Sequence, residues 1–126
     1  MKLLESFSQI LFRFRYPFSS PRDIGGDLGI PLPGNLEFNE FLTYLLHPSQ
    51  QSTRLIRFMP RKEAESMFQS AIRKECFKLN SLFSYYFNGG WVEFMLQFDA
   101  ESRLRRLYIR HKQLKHLHEI KISSYK

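Results

Sequence analysis

The stretch Phe83-Ser84-Tyr85-Tyr86-Phe87-Asn88-Gly89-Gly90-Trp91-Val92-Glu93-Phe94-Met95-Leu96-Gln97-Phe98 decides how this chain folds. Large apolar residues alternate on both sides of a central Asn-Gly-Gly. A strand sends successive side chains to opposite faces. The alternation therefore puts Phe83, Tyr85 and Phe87 on one face, and Val92, Phe94, Leu96 and Phe98 on the same face of the returning strand. Asn88-Gly89-Gly90 supplies the positive φ angles that a tight hairpin turn needs. Upstream, Phe77 and Leu79 extend the apolar series, with Lys78, Asn80, Ser84 and Tyr86 opposite.

Downstream, residues 99–102 read as a second turn and 103–110 as a third strand, with Leu107 and Ile109 inward and Arg106, Tyr108 and Arg110 outward. Leu104 falls on the outward parity, which calls for a bulge or a late strand start. The same region fits a second reading. Leu104, Leu107, His111, Leu114 and His118 follow a heptad, as in one basic amphipathic helix over 102–118. Two strands alone are marginal and need an antiparallel neighbour, which favours the strand. A last strand is offered by 118–124 through Ile120 and Ile122.

The N-terminal half reads as helices and loops. Leu3, Leu4, Phe7, Ile10, Leu11 and Phe14 make one face of a helix over 2–14, ended before Pro17. Residues 17–35 read as a long loop, broken by Pro17, Pro21, Pro31 and Pro33 and by Gly25, Gly26, Gly29 and Gly34. Gly25-Gly26-Asp27-Leu28-Gly29 is no phosphate loop, because no Lys-Ser/Thr comes after it. Asn35 is placed to cap a helix over 36–46 that buries Phe38, Phe41, Leu42 and Leu45 and ends at Pro48. Residues 53–59 read as a strand with Ile56 and Phe58 on one side and Leu55 and Arg57 on the other. Pro60 then opens a helix over 61–74 with the stripe Ala64, Met67, Phe68, Ala71 and Ile72. Helices before an antiparallel meander over 76–110 define an α+β domain, 1–126, with the helices on one face of a curved sheet. A cystatin-like roll satisfies that order.

Residues 83–114, from the Phe-Ser-Tyr-Tyr-Phe hairpin to His111-Lys112-Gln113-Leu114, resemble small uncharacterised cyanobacterial proteins. The resemblance implies a bacterial cytosolic setting; it carries over no activity and no functional residue.

Composition agrees with a folded single domain, since 16% of its residues are aromatic and disordered chains have few. The one cysteine, Cys76, excludes an intramolecular disulfide and suits a reducing compartment. No apolar run approaches the ~18 residues that would span a bilayer, and the N-terminal stretch has no cleavage site, so the expected location is cytoplasmic.

The charge is the functional lead. The chain carries a formal +7, and all of it lies in 103–126. That segment holds Arg103, Arg105, Arg106, Arg110, Lys112, Lys115, Lys121 and Lys126 against Glu119 alone. Such a field attracts phosphate or carboxylate. Arg106, Tyr108 and Arg110 on one strand, with Tyr86 and Trp91 on its neighbours, combine guanidinium groups with aromatic surface. Those are the means of holding single-stranded nucleic acid. The binding set read from sequence is therefore Arg103, Arg105, Arg106, Tyr108, Arg110, Lys112, Lys115, Tyr86 and Trp91. Its expected partner is an acidic protein surface or a nucleic acid, with no cofactor and no membrane role; a dimer through Trp91 and Tyr86 is a further reading.

Catalytic signatures are missing from the sequence: no nucleophile elbow, zinc motif, dinucleotide fingerprint or P-loop. Glu93 is expected to pair across strands with Arg105 or Arg106. His111, His116 and His118 sit among lysines, a field that repels a divalent cation, and read as solvated. Cys76 lies between Lys74 and Lys78 and reads as a small core residue. The rival to a binding domain is a ligand-binding or enzymatic roll with its pocket between helix 61–74 and the sheet.

Overall fold

Five strands form one open antiparallel sheet in the computed structural model, which describes residues 19–30, 32, 36–46, 53–87 and 89–124. They are β1 (Arg73–Phe77), β2 (Asn80–Phe87), β3 (Gly90–Phe98), β4 (Leu104–Arg110) and β5 (His118–Ile120), adjacent in chain order. Among the described residues three helices precede them: α1 (Pro21–Leu28), α2 (Phe38–Leu46) and α3 (Arg61–Ser66). The helix read over 2–14 and the caps at Asn35 and Pro48 lie outside the described residues.

The period-2 pattern does what its chemistry demands. Phe83, Tyr85, Val92, Phe94, Leu96 and Phe98 are all buried, and so are Leu107 and Ile109 on β4. Phe87 pairs with Gly90 across the turn, where Gly89 has φ 73°. The bulge demanded by Leu104 is present. Gln97 faces Arg106 but Phe98 faces Leu104, so Arg105 is the extra residue. Two consecutive exposed arginines at 105 and 106 mark it, and Leu104 is thereby returned to the core. The strand reading of 103–110 holds over the helix.

The helices cover the inner face. Ile24 and Leu28 of α1, Phe38, Phe41 and Leu45 of α2, and Ala64 of α3 join the inward sheet residues in one cluster. Phe68 stacks on Phe83 with ring centroids 4.5 Å apart.

Five readings need correction. First, 21–28 is a helix within the stretch read as loop. Ser20 and Asp23 form a reciprocal capping box, Pro21 occupies the first turn, and Gly29 ends the helix in the left-handed region at φ 82°. The prolines and glycines that look like breakers are its end caps.

Second, 53–59 is no strand. Phe58 has φ 71°, which breaks extension, and is 51% exposed, while Leu55 and Met59 are buried. Ile56 makes only an isolated bridge to Ser123.

Third, the helix read over 61–74 stops at Ser66. Beyond it the chain makes turns that carry Phe68 into the core, and the Ile72 N–H joins the Ser84 carbonyl at 2.8 Å. The pocket expected beneath a helix of that length loses its roof.

Fourth, the apolar series through Phe77 and Leu79 is interrupted by a hairpin turn. Phe77 pairs with Asn80, and both Phe77 and Leu79 are nearly half exposed. Strand β1 has no apolar alternation and exists because it pairs with β2.

Fifth, Cys76 is exposed on β1 and not in the core.

Two polar clusters tie the layers together. Asp27, at the end of α1, accepts the Tyr85 hydroxyl at 2.6 Å and the Ser70 N–H at 2.8 Å. Arg54 donates to the carbonyls of Gly26 and Asp27, both at 3.0 Å, closing the same helix end. In α3, Arg61 donates to Glu65 at 3.0 Å, to the carbonyls of Lys78 and Asn80, and to the Ser81 hydroxyl. Ser81 also donates to Glu65. Burial would raise the Glu65 carboxyl, but the hydrogen bonds from Ser81, Arg61 and Cys76 and the Arg61 charge hold it below its ordinary value.

Candidate anion-binding cleft

The registers place the outer face of the sheet in rows. Arg73, Ser84, Glu93 and Arg110 form one, and Tyr86 and Trp91 the next toward the Gly89 turn. These two rows and the chain leaving β4 enclose an open cleft of about 710 Å³. The volume falls within the range of roughly 300–1,000 Å³ usual for small-ligand sites.

Tyr86 and Trp91 form its aromatic wall. Their ring centroids lie 5.3 Å apart and the planes stand at 86°. The Arg73 guanidinium lies 4.9 Å over the Trp91 ring, a cation–π contact. Across β3 and β4, Arg110 donates to Glu93 at 2.8 Å, and the Glu93 hydrogen bond and charge raise the Arg110 pKa further. The ion pair expected for Glu93 is therefore present, but its partner is Arg110 and not Arg105 or Arg106: residues 93 and 110 are register neighbours. With Lys112 on the rim, the described residues of the lining include three basic side chains and one carboxylate; Arg110 is paired with that carboxylate, and Arg73 lies 3.7 Å from Glu75.

His111 forms the inner wall. It is 2% exposed, and its ring packs on Phe38 at a centroid distance of 4.2 Å. Nδ1 accepts the Gln113 N–H at 3.1 Å, so in the neutral ring Nε2 carries the proton. Nε2 is buried and meets no acceptor at good hydrogen-bond geometry. It lies beside Gly90, where an added Cβ would come within 3.0 Å of Nε2 and 3.2 Å of the Lys112 Cε. Burial lowers the His111 pKa; the Phe87 carbonyl favours the charged ring and the Lys112 charge opposes it. The reading of His111 as solvated is thus overturned: the residue continues the inward parity of Leu107 and Ile109.

Of the binding residues read from sequence, Tyr86, Trp91, Arg110 and Lys112 come together in the cleft. Tyr108 and Arg106 share the outer face one and two rows away, opposite Met95 and Gln97. Arg105 is exposed at the bulge, and Lys115 is exposed in the connection to β5. Arg103 is elsewhere. It pairs with Asp99 at 3.1 Å and Glu101 at 3.3 Å and lies over the Phe58 ring.

Sequence reasoning missed Arg73, His111 and Gly90. Arg73 sits in a strand with no alternation to reveal it. The signal for His111 was its parity with Ile109. Among the described residues no three His, Cys, Asp or Glu side chains form a metal-binding group. None of the described helices is long and apolar enough to cross a membrane. No family model, curated protein or solved structure matches the chain.

Proposed function

We propose that this protein is a non-enzymatic binding domain that docks an anionic partner, nucleic acid or an acidic protein surface, on the basic outer face of its sheet. The observation that carries the reading is the convergence of Arg73, Arg110 and Lys112 with Tyr86 and Trp91 around one cleft. Cations and aromatic rings on a rigid sheet supply charge neutralisation and contact area without a reactive group. Arg106 and Tyr108 prolong the same face beyond the cleft.

The test is a titration against single-stranded RNA, duplex DNA and polyglutamate at two salt concentrations. An Arg106→Glu/Arg110→Glu double variant, checked for its fold by circular dichroism, runs alongside. Binding that weakens with salt and is lost in the double variant is the expected outcome, and the slope against salt reports the phosphates engaged. Absence of binding to all three at low salt removes the reading.

A further inference from the structure

The proposed docking face also carries apolar side chains, which charge neutralisation alone does not call for. Beside the cleft, Leu82, Met95 and Tyr108 are register neighbours across β2, β3 and β4, and all three are half-buried. Leu82 and Met95 join Phe77, Leu117, Glu93 and Arg110 around a hollow of about 70 Å³. Phe77 is 47% and Leu117 42% exposed. Single exposed apolar residues are ordinary, but apolar residues grouped around a recess mark an interaction site. The size of the hollow selects what enters it. It is less than half of the ~150 Å³ cavity that holds benzene. The end of one aliphatic side chain fits; a nucleobase, larger than benzene, does not.

The surroundings select charge. Among the described lining residues Glu93 is the one carboxylate, and the Nε of Arg110 donates to it at 2.8 Å. The Arg110 guanidinium has further N–H donors. Arg106 is exposed in the row that holds Phe77, Asn80 and Gln97. Along the strand Arg106 and Arg110 stand about 13 Å apart, with Tyr108 between them on the same face. The chain beside each apolar wall is basic too: Lys78 follows Phe77, Lys115 lies just before Leu117, and both lysines are exposed. Glu75 and Glu119 end the Leu82 row, and Glu75 has Arg73 at 3.7 Å. A partner's carboxylates are therefore received on either side of that row, by Arg106 and by Arg110.

We infer that the face takes an acidic segment of a protein partner, one aliphatic side chain of which fills the hollow while carboxylates on either side of it meet Arg106 and Arg110. This rests on the proposed anionic docking face and selects protein over nucleic acid on it.

The probes are a peptide of glutamates around one leucine, the same peptide with alanine for that leucine, polyglutamate and a short oligoadenylate. Each is labelled and followed by anisotropy at low salt. The leucine peptide should bind about tenfold tighter than the alanine peptide. Leu117→Ser and Phe77→Ser should each cut that preference below about threefold. Both should leave polyglutamate binding as it is, because neither changes the charge. Circular dichroism shows that each variant is folded. Equal affinity for the two peptides and polyglutamate, weakening with salt, overturns the inference and leaves the anionic docking face standing. Oligoadenylate binding tighter than the leucine peptide also overturns it and assigns the face to nucleic acid. A tenfold preference for leucine that persists in either variant places the anchor elsewhere and overturns it as well. Sedimentation of the free protein tests for a second copy in the hollow, and a dimer dispersed by Leu117→Ser would overturn the inference. No binding by any probe removes both readings.

Discussion

His111 shows how one side chain comes to depend on pH. Its burial against Phe38 favours the neutral ring, and the Lys112 charge acts in the same direction. The folded pKa lies below the ordinary histidine value of 6.5. Between that value and the lower folded one, the unfolded chain binds a proton that the folded chain refuses. Stability is therefore full above pH 6.5 and falls as the pH drops through the folded pKa. His111→Phe keeps an aromatic ring on Phe38 and removes the titration. It also loses the acceptor for the Gln113 N–H, which costs about 1 kcal/mol at neutral pH. The measurement is the urea midpoint at pH 7.5 and 5.5. The wild type should lose stability between the two, and the variant should lose less. Equal losses would exclude His111 as a source of the acid sensitivity.

At the scale of elements, sequence legibility followed the source of each element's stability. β2, β3 and β4 are buried on one face, and burial writes itself as alternation: Phe83 to Phe98 could be read residue by residue, and even the bulge was announced by the parity of Leu104. β1 is an exposed edge strand held by backbone pairing, which leaves no apolar trace in Arg73 to Phe77. α1 was hidden because its capping residues, Ser20, Pro21 and Gly29, are also those of loops. The stripe Ala64 to Ile72 has helical spacing, but Phe68 meets Phe83 from a turn. The candidate site was half legible for the same reason. Tyr86, Trp91 and Arg110 lie on alternating strands, whereas Arg73 and His111 enter through tertiary pairing. The joint between α1 and the sheet gives a direct test. Tyr85→Phe removes the buried donor to Asp27, whose other donor is the Ser70 N–H. The expected loss is about 1.5–3 kcal/mol by denaturant unfolding. A loss below about 0.5 kcal/mol would show that this hydrogen bond does not hold the layers together.

Across the whole molecule, the two faces of the sheet divide the work. The inner face joins the helices in one apolar core, and the outer face carries Arg106, Tyr108, Arg110, Trp91 and Tyr86. Changes on the outer face should therefore leave the fold intact, which is what makes the charge-reversal tests of the proposed docking face interpretable. The strand order β1-β2-β3-β4-β5 has a consequence in time. Every strand pair is formed by neighbours in sequence, so each closes a short loop, and loop closure is the slow entropic step for sheets. The meander should zip first and the α1 and α2 layer should dock late. Val92→Ala, in the central hairpin, should then slow folding with φ near 0.5–0.8, while Leu45→Ala, in α2, should mainly speed unfolding with φ below about 0.3. Stopped-flow chevrons of the two variants would measure this, and a high value at Leu45 would reverse the order. A sheet that can assemble before its helices arrive presents Phe83, Phe94 and Leu96 to water for that interval. The most hazardous moment for this protein is then its own synthesis and refolding, when chain concentration decides between docking and aggregation.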